Sequence, residues 1–175
     1  TPLGGPLGTL QIGQLNKQIR IHELSFDLPV AHEGKAIKSD DLVSVFRQDP
    51  NARFGNEYAE TLGSLDIHSR GFLTGSIDLV FRDKESLSDG RWWVLDWKSN
   101  WIGVPNKEGE QISCGPIHYT KTAMDEQMTQ HHYPLQANLY LVALHRFLKL
   151  RLPNYDSEKH LGGYSYVFLR GVPDF

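Results

Sequence analysis

Two short apolar runs, Gly75-Ser-Ile-Asp-Leu-Val-Phe81 and Trp92-Trp-Val-Leu-Asp-Trp-Lys98, decide how this chain is read. Both are rich in branched and aromatic residues and predict β-strands. The stretch between them, Arg82 to Arg91, is polar and carries a Ser-Asp-Gly turn signal at 88–90, so an antiparallel hairpin is expected. A hairpin midpoint near Leu87 sets Asp78 opposite Asp96. Side chains alternate along a strand, which puts Asp96 and Lys98 on one face. Ile77, Leu79, Trp93, Leu95 and Trp97 then form an apolar opposite face. Two carboxylates and an ammonium converge on one patch. Carboxylate oxygens suit a hard divalent cation, and a neighbouring lysine can hold or polarise an attacking water. That is the chemistry of metal-dependent phosphodiester cleavage.

The same residues admit an ordinary reading. A lone Asp in a strand is commonly a satisfied polar group, and a carboxylate–lysine pair at i, i+2 is commonly a surface ion pair of little energy. The neighbours favour chemistry, because a charge on a strand so firmly anchored by apolar residues is costly unless it is paired or metal-bound.

The chain has 175 residues, enough for one domain with a substantial core, and its 39% hydrophobic and 22% charged residues are those of a globular protein. Its net charge of −3 argues against a surface that coats nucleic acid generally, though not against a local groove. The single cysteine, Cys114, rules out an internal disulfide and points to a reducing cytoplasm. No signal peptide or membrane-spanning run is visible. Residues 1–17 read as a linker or truncation edge.

Along the chain, residues 18–30 predict a strand whose parity shifts near Glu23, as at a bulge. Residues 39–47 predict a helix capped by Ser39 with Leu42, Val43 and Phe46 as its stripe, ended by Asp49-Pro50-Asn51. Residues 48–68 have no clear pattern. Strands at 71–82 and 91–98 precede a 101–118 loop that either contacts DNA or is a plain surface loop. Helices are expected at 120–131 and 134–150, the second with Leu135, Leu139, Val142 and Phe147 as its apolar side, then a strand at 164–169. Spacing alone sets Gln136 and Tyr140 on a solvated edge of that helix. The order β–α–β–β–α–α–β implies a mixed α/β sheet flanked by helices. Trp93 and Trp97 read as core, Trp92 as a border of the site, and Trp101 as either a base-stacking platform or an ordinary loop residue.

The segments RGFLTGSIDLVFR (70–82), WWVLDWKSNWIG (92–103), the run from Tyr119 to Asp156, and HLGGYSYVFLRGV (160–172) resemble the RecB-type C-terminal nuclease domains of the PD-(D/E)XK superfamily. Those domains belong to the beta subunit of exonuclease V. The resemblance covers roughly residues 10 to 173. It implies a restriction-endonuclease-like fold and Mg2+-dependent DNA hydrolysis in double-strand break repair. Asp78, Asp96 and the backbone carbonyl of Trp97 would be metal ligands, and Lys98 the catalytic lysine. Gln136 and Tyr140 match the family's Gln-x-x-x-Tyr motif and would serve the substrate site. Glu23 matches a family glutamate. The implied partners are DNA, RecC-like and RecD-like subunits, and the RecA recombinase.

Family members also bind metal through a histidine on a helix upstream of the matched region. Neither His22 nor His32 stands in that context, so the chain is expected to be a fragment with an incomplete metal site. A non-catalytic interaction module, for RecA loading or subunit contact, is the alternative function. No Gly-x-x-x-x-Gly-Lys-Ser/Thr loop occurs, so ATP hydrolysis is not expected of this chain.

Overall fold

A computed structural model describes residues 2–30, 34–48, 53–86, 90–109 and 113–173. His32, the helix-ending Asp49-Pro50-Asn51, the hairpin midpoint Leu87 and the turn residues Ser88 and Asp89 lie outside the described residues. In chain order the elements are β1 (Arg20–Pro29), β2 (Ile37–Lys38), α1 (Ser39–Phe46), α2 (Gly55–Gly63), β3 (His68–Ser69), β4 (Phe72–Arg82), β5 (Trp92–Lys98), α3 (Lys121–Gln130), α4 (Tyr133–Arg151), α5 (Ser157–His160) and β6 (Leu161–Phe168). They form a four-stranded sheet in the order β1-β4-β5-β6 and a two-stranded antiparallel sheet of β2 and β3. β4 and β5 pair antiparallel, β5 and β6 parallel, so the main sheet is mixed as expected. The chain gathers into two compact units, one of residues 1–24 and 76–175, the other of residues 25–75.

In the larger unit the alternation along β4 and β5 sorts side chains as the sequence predicts. Leu79, Phe81, Trp93 and Leu95 join Leu15 and Ile19 in one buried cluster. The opening residues do not run free as a linker. Leu3, Leu7, Leu10 and Ile12 pack against that cluster through a series of short 3-10 turns. Burying these side chains contributes about 1.5–3 kcal/mol each when complete. Trp97 departs from its expected core position and is 37% exposed, whereas Trp93 is buried. Trp92 pairs with Arg82 near the hairpin turn, its ring under the guanidinium, and so stands away from Asp96.

The other face of β5 and β6 is covered by α4. Pro134 opens this helix, where its missing N–H costs nothing, and Lys149 and Arg151 suit the dipole in its last turn. The buried stripe is Ala137, Tyr140, Leu144 and Leu148, with Ala143 beside it. This differs from the stripe of larger residues expected at 135, 139, 142 and 147, of which Val142 is 44% exposed. Tyr140 is thus on the buried side of the helix, between Ala137 and Ala143.

In the smaller unit α1 packs against α2, with Phe46 and Tyr58 meeting edge to face at 5.0 Å. Ser39 is not the helix cap. Asp41 caps α1 by accepting the Lys38 amide at 2.8 Å, while the Ser39 hydroxyl donates to the Leu65 carbonyl and accepts the Ile67 amide. The patternless 48–68 stretch contains α2, which buries Tyr58, Ala59 and Leu62.

β6 begins earlier than expected, through Gly162 and Gly163. The β5–β6 register slips between Trp92 and Trp93, so that Trp92 faces Leu161 and Trp93 faces Gly163. Gly163 has φ of 134°, a conformation suited to glycine, and the Trp93 indole lies directly against Gly162. A Cβ at 162 would collide with that ring. Gly162→Ala should therefore destabilise the protein by about 1–3 kcal/mol and lower Tm by several degrees in thermal unfolding. Gly13→Ala, where a Cβ meets nothing within 4 Å, should shift stability by less than about 0.5 kcal/mol.

Candidate active site

The β4–β5 ladder pairs Leu79 with Leu95 and Val80 with Val94, and continuing it by one step sets Asp78 opposite Asp96. The described ladder ends at Leu79–Leu95, and the Asp78 carboxylate accepts the Trp97 backbone N–H at 2.8 Å. A side chain thus replaces a strand carbonyl as acceptor.

Asp96 and Lys98 form an ion pair at 2.7 Å, and both are buried, at 4% and 9% exposure. Burial pushes the Asp96 carboxyl above its ordinary value; the Lys98 ammonium pulls it down, Asp78 raises it by repulsion, and a hydrogen bond with Tyr140 lowers it. Lys98 Nζ also donates to Gln136 Oε1 at 2.9 Å. Gln136 Nε2 donates in turn to the Tyr140 hydroxyl at 3.0 Å. Burial, followed by the charges of Asp96 and Asp78, pushes the Tyr140 hydroxyl well above its usual range, so it remains a protonated donor to Asp96. Gln136 and Tyr140 therefore face β5 and do not lie on a solvated edge.

Glu23 has φ of 53°, which accounts for the parity shift read in β1, and it accepts a hydrogen bond from the Ser76 hydroxyl at 3.0 Å. Ser76 shares a face of β4 with Asp78, so Glu23 joins the patch through Ser76. Trp97 contributes its peptide unit, while its side chain lies on the opposite sheet face. Trp101 folds against Gly103. His22 is exposed on β1.

Sequence reasoning missed Tyr133, Tyr166 and Asn100. The Lys98 ammonium lies 3.9 Å from the Tyr133 ring centroid and 4.9 Å from that of Tyr166. Tyr166 stands beside Asp96 in the parallel β5–β6 register. Asn100 accepts from the Tyr133 hydroxyl at 3.1 Å and donates to Gln127 at 3.1 Å, joining the end of β5 to α3 and α4. The available signal was the spacing of Tyr133 from Gln136, nearly one helical turn; nothing local marked Tyr166.

Among the described residues no group of three or more His, Cys, Asp or Glu side chains is arranged to hold a metal ion. The oxygen donors present, Asp78, Asp96 and the Trp97 peptide, are of the hard type that Mg2+ prefers, and the repulsion between the carboxylates is what a cation would relieve. Among the described residues, no helix is long and apolar enough to cross a membrane.

A mixed sheet flanked by helices, with facing carboxylates and a lysine at one end of a strand pair, defines the restriction-endonuclease-like class of α/β proteins. Within that class the chain is homologous to the RecB subunit of the RecBCD enzyme. It is 40% identical over 162 residues to the Escherichia coli K12 "RecBCD enzyme subunit RecB", covering 93% of this chain and 12% of that protein. The Mycolicibacterium smegmatis subunit is 36% identical over 184 residues, covering 98% of this chain and 16% of the relative. The Haemophilus influenzae subunit is 36% identical over 172 residues, covering 98% and 12%. The chain thus spans only a small part of the length of these relatives. No family model matches it.

The raised Asp96 carboxyl has a sign that can be tested. A carboxyl whose folded pKa lies above its unfolded value adds stability when protonated and loses it as pH rises through the folded pKa. Asp96→Asn removes this dependence while keeping an acceptor for Lys98, which Asp96→Ala would strand at a cost of several kcal/mol. Relative to wild type, Asp96→Asn should gain stability as pH rises from about 4, then level off above the Asp96 pKa. Thermal unfolding of both proteins across that range checks it.

Proposed function

We propose that this chain is a RecB-like nuclease domain that hydrolyses DNA phosphodiester bonds with a divalent metal, Mg2+, in recombinational repair. The observation that carries the proposal is the single hydrogen-bonded cluster of Asp96, Lys98, Gln136 and Tyr140, with Asp78 anchored beside it on Trp97. Homology to RecB over a nuclease-sized segment supports it independently.

Asp78, Asp96 and the Trp97 backbone carbonyl would hold the metal. When bound, such an ion supplies Lewis-acid polarisation of the phosphate and a more acidic water. Lys98 orients the attacking water and stabilises negative charge developing on the phosphate. Gln136 holds Lys98, and Tyr140 holds Asp96 by donating a proton into a hydrogen bond. Glu23, tied to Ser76, extends the acidic rim. RecC-like and RecD-like subunits and RecA are partners to be sought through a longer parent protein, in a bacterial cytoplasm; the lone Cys114 suits that compartment.

The test is cleavage of linear DNA, alongside calorimetric titration with Mg2+ and Mn2+. Asp78→Asn and Asp96→Asn should each remove metal binding, and cleavage should fall at least about 100-fold. Lys98→Ala should lower cleavage similarly while leaving metal binding in place. Normal cutting by Asp96→Asn would remove that residue from the mechanism. DNA or RecA binding with no cleavage under any divalent ion would favour the interaction module.

A further inference from the structure

We infer that Tyr133 and Tyr166 are positioning residues that cage the Lys98 ammonium beside Asp96. The inference rests on the nuclease reading for its catalytic consequence, but the cage itself stands on geometry.

A lysine ammonium is a compact charge on a flexible stem with three donors. Two of these donors have defined acceptors, Asp96 Oδ2 at 2.7 Å and Gln136 Oε1 at 2.9 Å. The Tyr133 and Tyr166 rings complete the enclosure at 3.9 and 4.9 Å from Nζ, within the range where a ring face attracts a cation. The rings are themselves fixed. They stack on each other at 5.4 Å and 17°, and His131 stacks on Tyr133 at 5.4 Å. The Tyr133 hydroxyl donates to Asn100 Oδ1, two residues beyond Lys98.

Tyr166 does more than fill space. Its hydroxyl lies 2.9 Å from Gln136 Oε1 and 3.1 Å from the Tyr133 carbonyl, both acceptors. The Lys98 ammonium, which can only donate, selects one of the two orientations of the Gln136 amide. In that orientation the carbonyl faces Lys98 and the NH2 faces Tyr140; reversed, an NH2 group would confront the ammonium. With its proton on Oε1, Tyr166 is a second donor that braces the Gln136 carbonyl against Lys98. The hold supplied by the rings and Gln136 does not use Asp96, so it keeps Lys98 in place when the Asp96 carboxylate is engaged elsewhere.

Trace acetylation of Lys98 in the metal-free chain, read by mass spectrometry against exposed Lys121 and Lys149, tests the cage without any need for catalysis. Tyr133→Leu should raise Lys98 labelling about tenfold relative to those lysines, and Tyr133→Phe, which keeps the ring, should restore protection. Tyr166→Phe, which keeps the ring but loses the donor, should also raise it. In cleavage assays Tyr133→Leu and Tyr166→Phe should lower kcat about tenfold, with KM for DNA within about twofold. If Tyr133→Leu fails to fold, as seen by near-UV circular dichroism, Tyr166→Phe alone decides. Unchanged Lys98 labelling in a folded Tyr133→Leu or Tyr166→Phe protein overturns the cage. Altered labelling in a protein that cuts no DNA in any form would overturn the nuclease reading and leave the cage standing.

Discussion

The Asp96–Lys98 ion pair is the constraint around which the larger unit is organised. Both groups are almost fully buried, and taking two charges out of water costs several kcal/mol per ion unless each is closely paired and further hydrogen-bonded. A separation of 2.7 Å meets the first demand. Gln136 and Tyr140 meet the second from α4, and the rings of Tyr133, at the start of that helix, and Tyr166, on β6, close around the ammonium. Hydrophobic residues of similar size would serve stability at least as well at these positions. Charge retained in so buried a place therefore favours the catalytic role proposed for Asp96 and Lys98.

The sheet separates an apolar contact from a charged one by face. On one side Leu79, Phe81, Trp93 and Leu95 meet the coiled opening segment of the chain, an apolar contact with no charge to accommodate. On the other, Asp96 and Lys98 meet α4, whose Gln136 and Tyr140 supply polar partners. Alternation along a strand makes this division possible within seven residues of β5. At its end the Asp78 carboxylate takes the Trp97 amide, so the strand end is held without a carbonyl partner there.

Homology to RecB subunits and the geometry of this cluster are independent arguments. The identity runs along nearly the whole chain, whereas the cluster is drawn from a handful of residues in β4, β5, α4 and β6. The relatives are much longer proteins, and the segment shared with them contains its own sheet, its own core and its own buried charges.

Local pattern was enough to write the antiparallel pairing of β4 with β5, the shared face of Asp96 and Lys98, and the helices at 39–47, 120–131 and 134–150. Each follows from a period of two or of 3.6 and from neighbours in sequence. The backbone break at Glu23 was also legible, as a change of parity. Tertiary packing decided what local pattern could not. The buried side of α4, with Ala137, Tyr140, Ala143, Leu144 and Leu148, is set by which residues meet β5 and β6 rather than by hydrophobicity alone. Tyr166 reaches the site only because β6 pairs parallel to β5, a long-range pairing with no signal in the intervening residues. The opening glycine- and proline-rich run looked like a linker because its leucines have no local period. They acquire a partner only when β4 and β5 fold and present an apolar face to cover.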